Sequence, residues 1–182
     1  MGLKDNLLAL FEANKGIYFS GEELASKLNV SRAAVWKAVN NLRGMGYEID
    51  AVPNRGYSLS VDTDILSAQG IKKYLSPECS FLTLDVYNQT ESTNSLLRAK
   101  AADGAPDGYT VLALSQTAGR GRRGRSFYSS AGTGVYMSIL LRPENMLPSQ
   151  AVRLTTMAAV AACEAIEEIS GEKAWIKWVN DI

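Results

Sequence analysis

The sequence predicts an α+β chain in two parts, and three observations carry that prediction. Apolar residues recur at helical spacing as far as Leu42. Two alternating segments around Pro53-Asn54-Arg55-Gly56 then have the pattern of a β-hairpin. From residue 63 onward, strand-like and helix-like stretches succeed one another.

The elements follow in order. Leu3, Leu7, Leu8, Leu10 and Phe11 share a helical face, and Gly16 is a natural stop. Ser20 with Glu23 forms a capping box that opens a second helix bearing Leu24, Ala25 and Leu28. Asn29-Val30 turns the chain, and Ser31 caps a third helix whose Val35, Val39 and Leu42 face inward. Tyr47, Ile49 and Ala51 alternate with Glu48, Asp50 and Val52; beyond the turn, Tyr57, Leu59 and Val61 alternate again. Three helices closed by such a hairpin make a winged helix-turn-helix, with a boundary at the polar stretch Val61-Asp62-Thr63-Asp64.

The second part is expected to hold a helix over 65–75, a strand over 81–87 and a helix capped by Ser92 or Thr93 and ending near Ala102. Strands over 109–114 and 135–141 follow. Next comes a long helix over 149–169 that buries Leu154, Met157, Ala158, Ala161, Ala165 and Ile169, and a last strand over 175–178.

On the third helix, Arg32, Trp36, Asn40 and Arg43 form a polar and basic stripe opposite the core face. In a helix-turn-helix this is the helix that enters a major groove, so Ser31, Arg32, Ala33, Trp36, Lys37 and Asn40, with Arg55 on the hairpin tip, are the candidate DNA-binding residues. A solvated helix face, or a module that binds protein, would show the same stripe. Residues 1–60 carry seven basic and six acidic side chains. Nonspecific affinity for DNA should therefore be modest, and specific binding should need two copies on a two-fold site.

The 182 residues carry 19 basic and 19 acidic side chains and no histidine, which excludes histidine-based triads and histidine metal sites. Cys79 and Cys163 lack metal-ligand spacing and are expected to be reduced and structural, as in cytoplasm. No run has the length and apolarity of a membrane span, and Lys4, Asp5 and Glu12 interrupt any leader-like start.

Against that neutral background, Gly119-Arg120-Gly121-Arg122-Arg123-Gly124-Arg125 places four guanidinium groups in seven residues without an acid. Glycine lets backbone N–H groups approach a ligand, and arginine supplies charged forks that fit carboxylate and phosphate oxygens. The run is not a P-loop, because no Gly-Lys-Ser/Thr closes it, and no helical pattern follows it as a dinucleotide fingerprint requires. A solvated basic loop or a nucleic-acid patch remains open on the run alone.

Its neighbours narrow the reading. Glu91-Ser92-Thr93-Asn94, then Gln116-Thr117-Ala118 leading into the arginine run, then Lys177-Trp178-Val179-Asn180-Asp181 occur in an order that resembles the catalytic domain of biotin protein ligases. With the winged helix included, the chain resembles the bifunctional members that also repress biotin genes. The resemblance implies a winged helix-turn-helix over 1–62. It also implies an incomplete biotin/lipoate-ligase-like α+β catalytic domain over 63–182.

The resemblance implies a two-step reaction. The carboxylate of biotin attacks the α-phosphate of ATP, with Mg2+ accompanying the triphosphate, to give biotinyl-5′-AMP and pyrophosphate. A lysine of a biotin carboxyl carrier protein then takes the biotinyl group. Both steps need preorganised positive charge more than a covalent enzyme intermediate. By the same resemblance, Ser92, Thr93, Gln116, Gly119, Arg120 and Lys177 contact biotin. Gly121, Arg122, Arg123 and Asn180 contact the nucleotide, Arg122 retains the adenylate, and Lys177 with Arg122 is catalytic. The partners implied are the carrier protein and operator DNA, bound by a ligand-dependent homodimer when the chain is complete, without a membrane.

Two features depart from the family pattern. Val179 stands where the family has proline, and the sequence stops at Ile182 where further strands and a small β-domain would be expected. A regulator that binds DNA without ligase turnover is therefore the alternative. A lipoate or octanoate transferase is a weaker one, opposed by the arginine run and the winged helix.

Overall fold

The computed structural model describes residues 2–121, 124–143, 146–177 and 181–182. The chain divides into two compact units, Met1–Leu141 and Arg142–Ile182.

The first unit opens with α1 (Leu3–Glu12), α2 (Gly21–Leu28) and α3 (Arg32–Gly44). The expected capping box is present at α2: Ser20 Oγ accepts from Glu23 N at 3.1 Å and Glu23 Oε2 accepts from Ser20 N at 2.9 Å. Asn29 ends α2 in the left-handed conformation, φ 52°. Ser31 then caps α3 by accepting from Ala34 N at 3.2 Å. Leu7, Phe11, Leu24, Val35, Val39 and Leu42 are fully buried in one cluster with Leu59. Each such side chain contributes about 1.5–3 kcal/mol of burial.

The hairpin is β1 (Ile49–Val52) and β2 (Gly56–Leu59), antiparallel with Ile49 opposite Leu59 and Val52 opposite Gly56. A third, very short strand joins it where Phe19 bridges Tyr57, with reciprocal N–H to C=O bonds of 2.9 Å. Gly56 is obligatory here. Its φ is +96°, and a Cβ would lie 2.0 Å from the carbonyl oxygen of Phe19.

The segment after the hairpin packs on these helices. Helix α4 spans only Ala68–Lys72, not 65–75, because Ser67 caps it by accepting from Gly70 N at 2.9 Å. Ile65 packs instead against the helical core. Helix α4 contacts α1 and β3 (Thr83–Tyr87). Glu12 is buried on α1, and its carboxylate is neutralised by Lys73 at 3.0 Å and Lys15 at 3.7 Å. Unpaired, that buried charge would be costly.

Strand β3 begins at Thr83, not Phe81, because a 3-10 turn over Pro77–Cys79 occupies the approach. It pairs in parallel with β4 (Tyr109–Ala113), and β5 (Tyr136–Ile139) pairs antiparallel on the other side of β4. Helix α5 (Thr93–Ala102) is the crossover between the parallel strands and packs on β4 and β5. The central strand is buried on both faces from Thr110 to Ala113.

The second unit holds a 3-10 turn over Pro148–Gln150 and the long helix α6 (Val152–Ser170). Its buried residues are Ala159 and Cys163, whereas Met157 and Ile169 are exposed, so the expected inward face is corrected. Val152, Val160 and Ile166 lie on other sides of α6 and are exposed too, so apolar residues surround the helix and their spacing selects no single face. In place of a strand over 175–178, the described residues show one antiparallel bridge between Lys177 and Asp181. Residues 178–180 lie outside the described residues.

Candidate functional site

The parallel pairing of β3 and β4 delivers two of the sequence motifs to the same sheet edge. Both strands end there, and the chain beyond them stays paired: Thr90 N donates to Ser115 O at 3.2 Å, Thr117 N to Thr90 O at 3.0 Å and Ala118 N to Glu91 O at 2.8 Å. Gln116 therefore lies beside the N-terminus of α5, whose first N–H groups carry partial positive charge. Carboxyl ends of parallel strands are common ligand sites for this reason.

Gln116 is locked there by both ends of its amide. Its Oε1 accepts from Thr93 N at 2.8 Å and from Thr93 Oγ1 at 3.2 Å, while its Nε2 donates to Ser129 Oγ at 2.9 Å. Ser129 Oγ in turn donates to Phe127 O at 3.1 Å. Because the Thr93 hydroxyl proton is directed at Gln116, Ser138 Oγ, 2.9 Å from Thr93 Oγ1, is the donor in that pair. Thr93, Ser129 and neighbouring Ser92 are almost wholly buried, and Ser92 caps α5 by accepting from Ser95 N at 3.4 Å. The amide keeps one N–H uncommitted among these bonds, a donor suited to a ligand carbonyl.

The arginine-glycine run folds back on itself beside this relay. Phe127 N donates to Gly119 O at 2.8 Å, Arg120 bridges Ser126, and Gly121 N donates to Arg125 O at 2.7 Å. Gly119 permits this closure: a Cβ there would lie 2.4 Å from Phe127 O and 2.6 Å from Ser129 Oγ. Arg120 and Arg125 are exposed. Arg122 and Arg123 lie outside the described residues.

A cavity of about 560 Å³ opens between the two segments, lined by Gln116, Gly119, Ser126, Phe127 and Ser129 among others. Among the described residues no charged side chain of either sign lines it, so its wall is neutral and polar. Sequence reasoning missed Ser129 and Ser138. No pattern marks Ser129, and alternation along 135–141 points the wrong way for Ser138, because the apolar set Val135, Met137, Ile139 and Leu141 is exposed and the set containing Tyr136 and Ser138 turns inward.

Lys177 belongs to the second unit, where its N–H donates to Asp181 O at 2.8 Å. Asn180 lies outside the described residues.

The helical part presents a separate surface. Arg32, Ala33, Trp36 and Lys37 are exposed on α3, and Trp36, at 60% exposure, is not a core residue. Asn40 is half-buried. A groove of about 650 Å³ lies between this face and the hairpin, lined by Arg32, Ala33, Trp36, Pro53 and Asn54 among others. Arg43 departs from the expected stripe: its guanidinium donates to Ile49 O through both Nε and Nη2 and ties α3 to β1.

Comparison with known proteins follows these two regions. Residues 4–58 match a helix-turn-helix domain model, and residues 86–182 match the biotin/lipoate A/B protein ligase family model. The chain is 40% identical over 181 residues to the bifunctional ligase/repressor BirA of Bacillus subtilis (strain 168), covering 99% of this chain and 55% of that protein. It is 34% identical over 185 residues to the protein of the same name from Escherichia coli (strain K12), again 99% and 55%. The chain thus spans about half the length of the curated relatives it matches. Among solved structures, the biotin protein ligase of Aquifex aeolicus in complex with biotin and ATP aligns with TM-score 0.47 and 32% identity, covering 55% of this chain and 40% of that one.

Proposed function

Because the chain belongs to the biotin/lipoate A/B protein ligase family, we propose that it binds biotin and ATP, forms biotinyl-5′-AMP, passes the biotinyl group to a carrier-protein lysine, and represses transcription through its helix-turn-helix. The observation that carries the ligase half is the fixed amide of Gln116 between Thr93 and Ser129, beside a loop of arginines and glycines. A ureido ring needs a donor for its carbonyl and acceptors for its N–H groups. The second N–H of Gln116, uncommitted among the described bonds, and the hydroxyls of the relay are of the right kind.

The roles follow from that chemistry. Ser92, Thr93, Gln116, Gly119 and Arg120 hold biotin. Gly121, Arg122, Arg123 and Asn180 hold the nucleotide. Adenylation forms a bond from the biotin carboxylate oxygen to the α-phosphorus and breaks the bond to pyrophosphate, which leaves with its electron pair. Negative charge moves onto the leaving pyrophosphate oxygen, and guanidinium groups beside it lower the barrier by stabilising it. Lys177 and Arg122 receive the electrophilic roles on the strength of their motifs. Magnesium would accompany the triphosphate as its counter-ion and partly neutralise it, held by phosphate oxygens and water. The carrier amine then displaces AMP from the mixed anhydride.

In the DNA-binding half, Ser31, Arg32, Ala33, Trp36, Lys37 and Asn40 of the α3 region and Arg55 of the hairpin face DNA. The divisions proposed are 1–62 for this half and 63–182 for the ligase half, with a ligand-dependent homodimer on a two-fold operator and a cytoplasmic location. Among the described residues no helix is long and apolar enough to cross a membrane.

The test is biotin-dependent exchange of labelled pyrophosphate into ATP by the purified chain. Exchange that is lost in Lys177→Ala supports adenylation by these residues. A folded chain that shows no exchange, yet binds DNA, favours a regulator without turnover.

A further inference from the structure

The hairpin arginine does not stand alone. The Arg55 guanidinium lies over the ring of Tyr18, 4.3 Å from its centroid. Tyr18 lies one residue before the isolated Phe19–Tyr57 bridge that sits beside β2. One step along the antiparallel bridge sets Tyr18 alongside Ser58, and Ser58 pairs with Asp50. Side chains of such a row share one face of a sheet. The Tyr18 hydroxyl reaches Asp50 Oδ2 at 3.2 Å, so its ring crosses the middle strand over Ser58, a small residue that is 2% exposed. A larger residue at 58 would lift the ring. Tyr18 is thus held between the backbone bonds of its neighbour Phe19 to β2 and its own hydroxyl bond to Asp50 on β1, and it offers an aromatic face at the root of the hairpin tip.

We propose that Tyr18 is a positioning residue for DNA binding: its ring holds the Arg55 guanidinium aimed outward, so that a phosphate meets an arginine that has already lost much of its rotamer freedom. Arg55 is exposed, and its backbone is fixed by a 3.1 Å bond from its N–H to Val52 O. A cation over an aromatic ring keeps its N–H edge free for an anion. This inference rests on the DNA-binding reading above.

The test is a double-mutant cycle read by binding of the full chain to mixed-sequence duplex DNA over a series of KCl concentrations. Phosphate contacts are independent of sequence, so no operator need be known. Arg55→Ala should weaken binding and flatten its salt dependence by about one charge per copy. Tyr18→Leu should weaken it about two- to fivefold, the scale of an exposed cation–π contact. Tyr18→Phe, which keeps the ring, should recover most of that loss. In the Arg55→Ala background Tyr18→Leu should then have no further effect. If Tyr18→Leu costs as much there as in the wild type, Tyr18 only supports the fold and the proposal is overturned. If the wild type binds but Arg55→Ala binds equally well, the aim of Arg55 is irrelevant and the proposal also fails. If the wild type does not bind duplex even at low salt, the DNA-binding reading itself falls.

Discussion

Residues 3–59 and residues 88–138 are held together by different means. The first region closes on a cluster of fully buried aliphatic and aromatic side chains, and its functional face is what remains outside. The second closes, at the carboxyl ends of its parallel strands, on a chain of hydroxyl and amide groups that runs from Ser138 through Thr93 and Gln116 to Ser129. A hydrophobic cluster tolerates loss of one member at an energetic cost and keeps its surface. A polar relay has directional bonds, so removing one member leaves buried partners unsatisfied and changes the shape offered to a ligand.

The strongest way to separate the two regions is to remove a core member. Phe11→Ala should lower stability by about 3–5 kcal/mol in urea denaturation, the range for a large aromatic deleted from a core. At temperatures where the variant is folded, biotin binding should be unchanged. Gly56→Ala comes next. Positive φ and a 2.0 Å approach to Phe19 O mean the hairpin must move, and a loss of about 2–4 kcal/mol with weakened DNA binding is expected. Its counterpart, Gly119→Ala, meets Phe127 O at 2.4 Å. That change should abolish pyrophosphate exchange while leaving DNA binding intact. If either glycine variant impairs both activities equally, the regions are not independent.

A smaller effect sharpens the comparison at the sheet. The Tyr109 hydroxyl donates to Asp85 Oδ2 at 2.5 Å. That hydrogen bond to the carboxylate, aided by burial, pushes the phenol up to about 12 from an ordinary value of 10.0. The folded state therefore holds this proton more tightly than the unfolded one. The resulting stability is complete below about pH 10 and is lost as pH rises toward about 12. Tyr109→Phe should remove that part of the alkaline slope in urea titrations, at a neutral-pH cost of about 1 kcal/mol.

What the sequence revealed divides along the same line. Helices α1 to α3 and the hairpin were legible because each face has its own period and α2 and α3 carry their own caps, at Ser20–Glu23 and Ser31. The motifs at 91–94 and 116–125 were legible as residues. Their meeting was not, because Gln116 and Ser138 lie 23 and 45 positions beyond Thr93 and come together with it only through parallel pairing and a strand on the far side of β4. Strand β5 misleads for a physical reason. It exposes its apolar alternates and turns Ser138 inward to a polar partner, so hydrophobicity assigns the faces the wrong way round. Helix α4 is shorter than its apolar spacing because the Ser67 cap starts it late.

The central claim is that the Gln116 relay is a biotin site, and calorimetric titration of biotin into the wild type and Gln116→Leu tests it most directly. The account predicts one site in the wild type and binding at least about tenfold weaker in the variant, with DNA binding unchanged. Equal affinity in the two proteins would place biotin elsewhere and contradict the account.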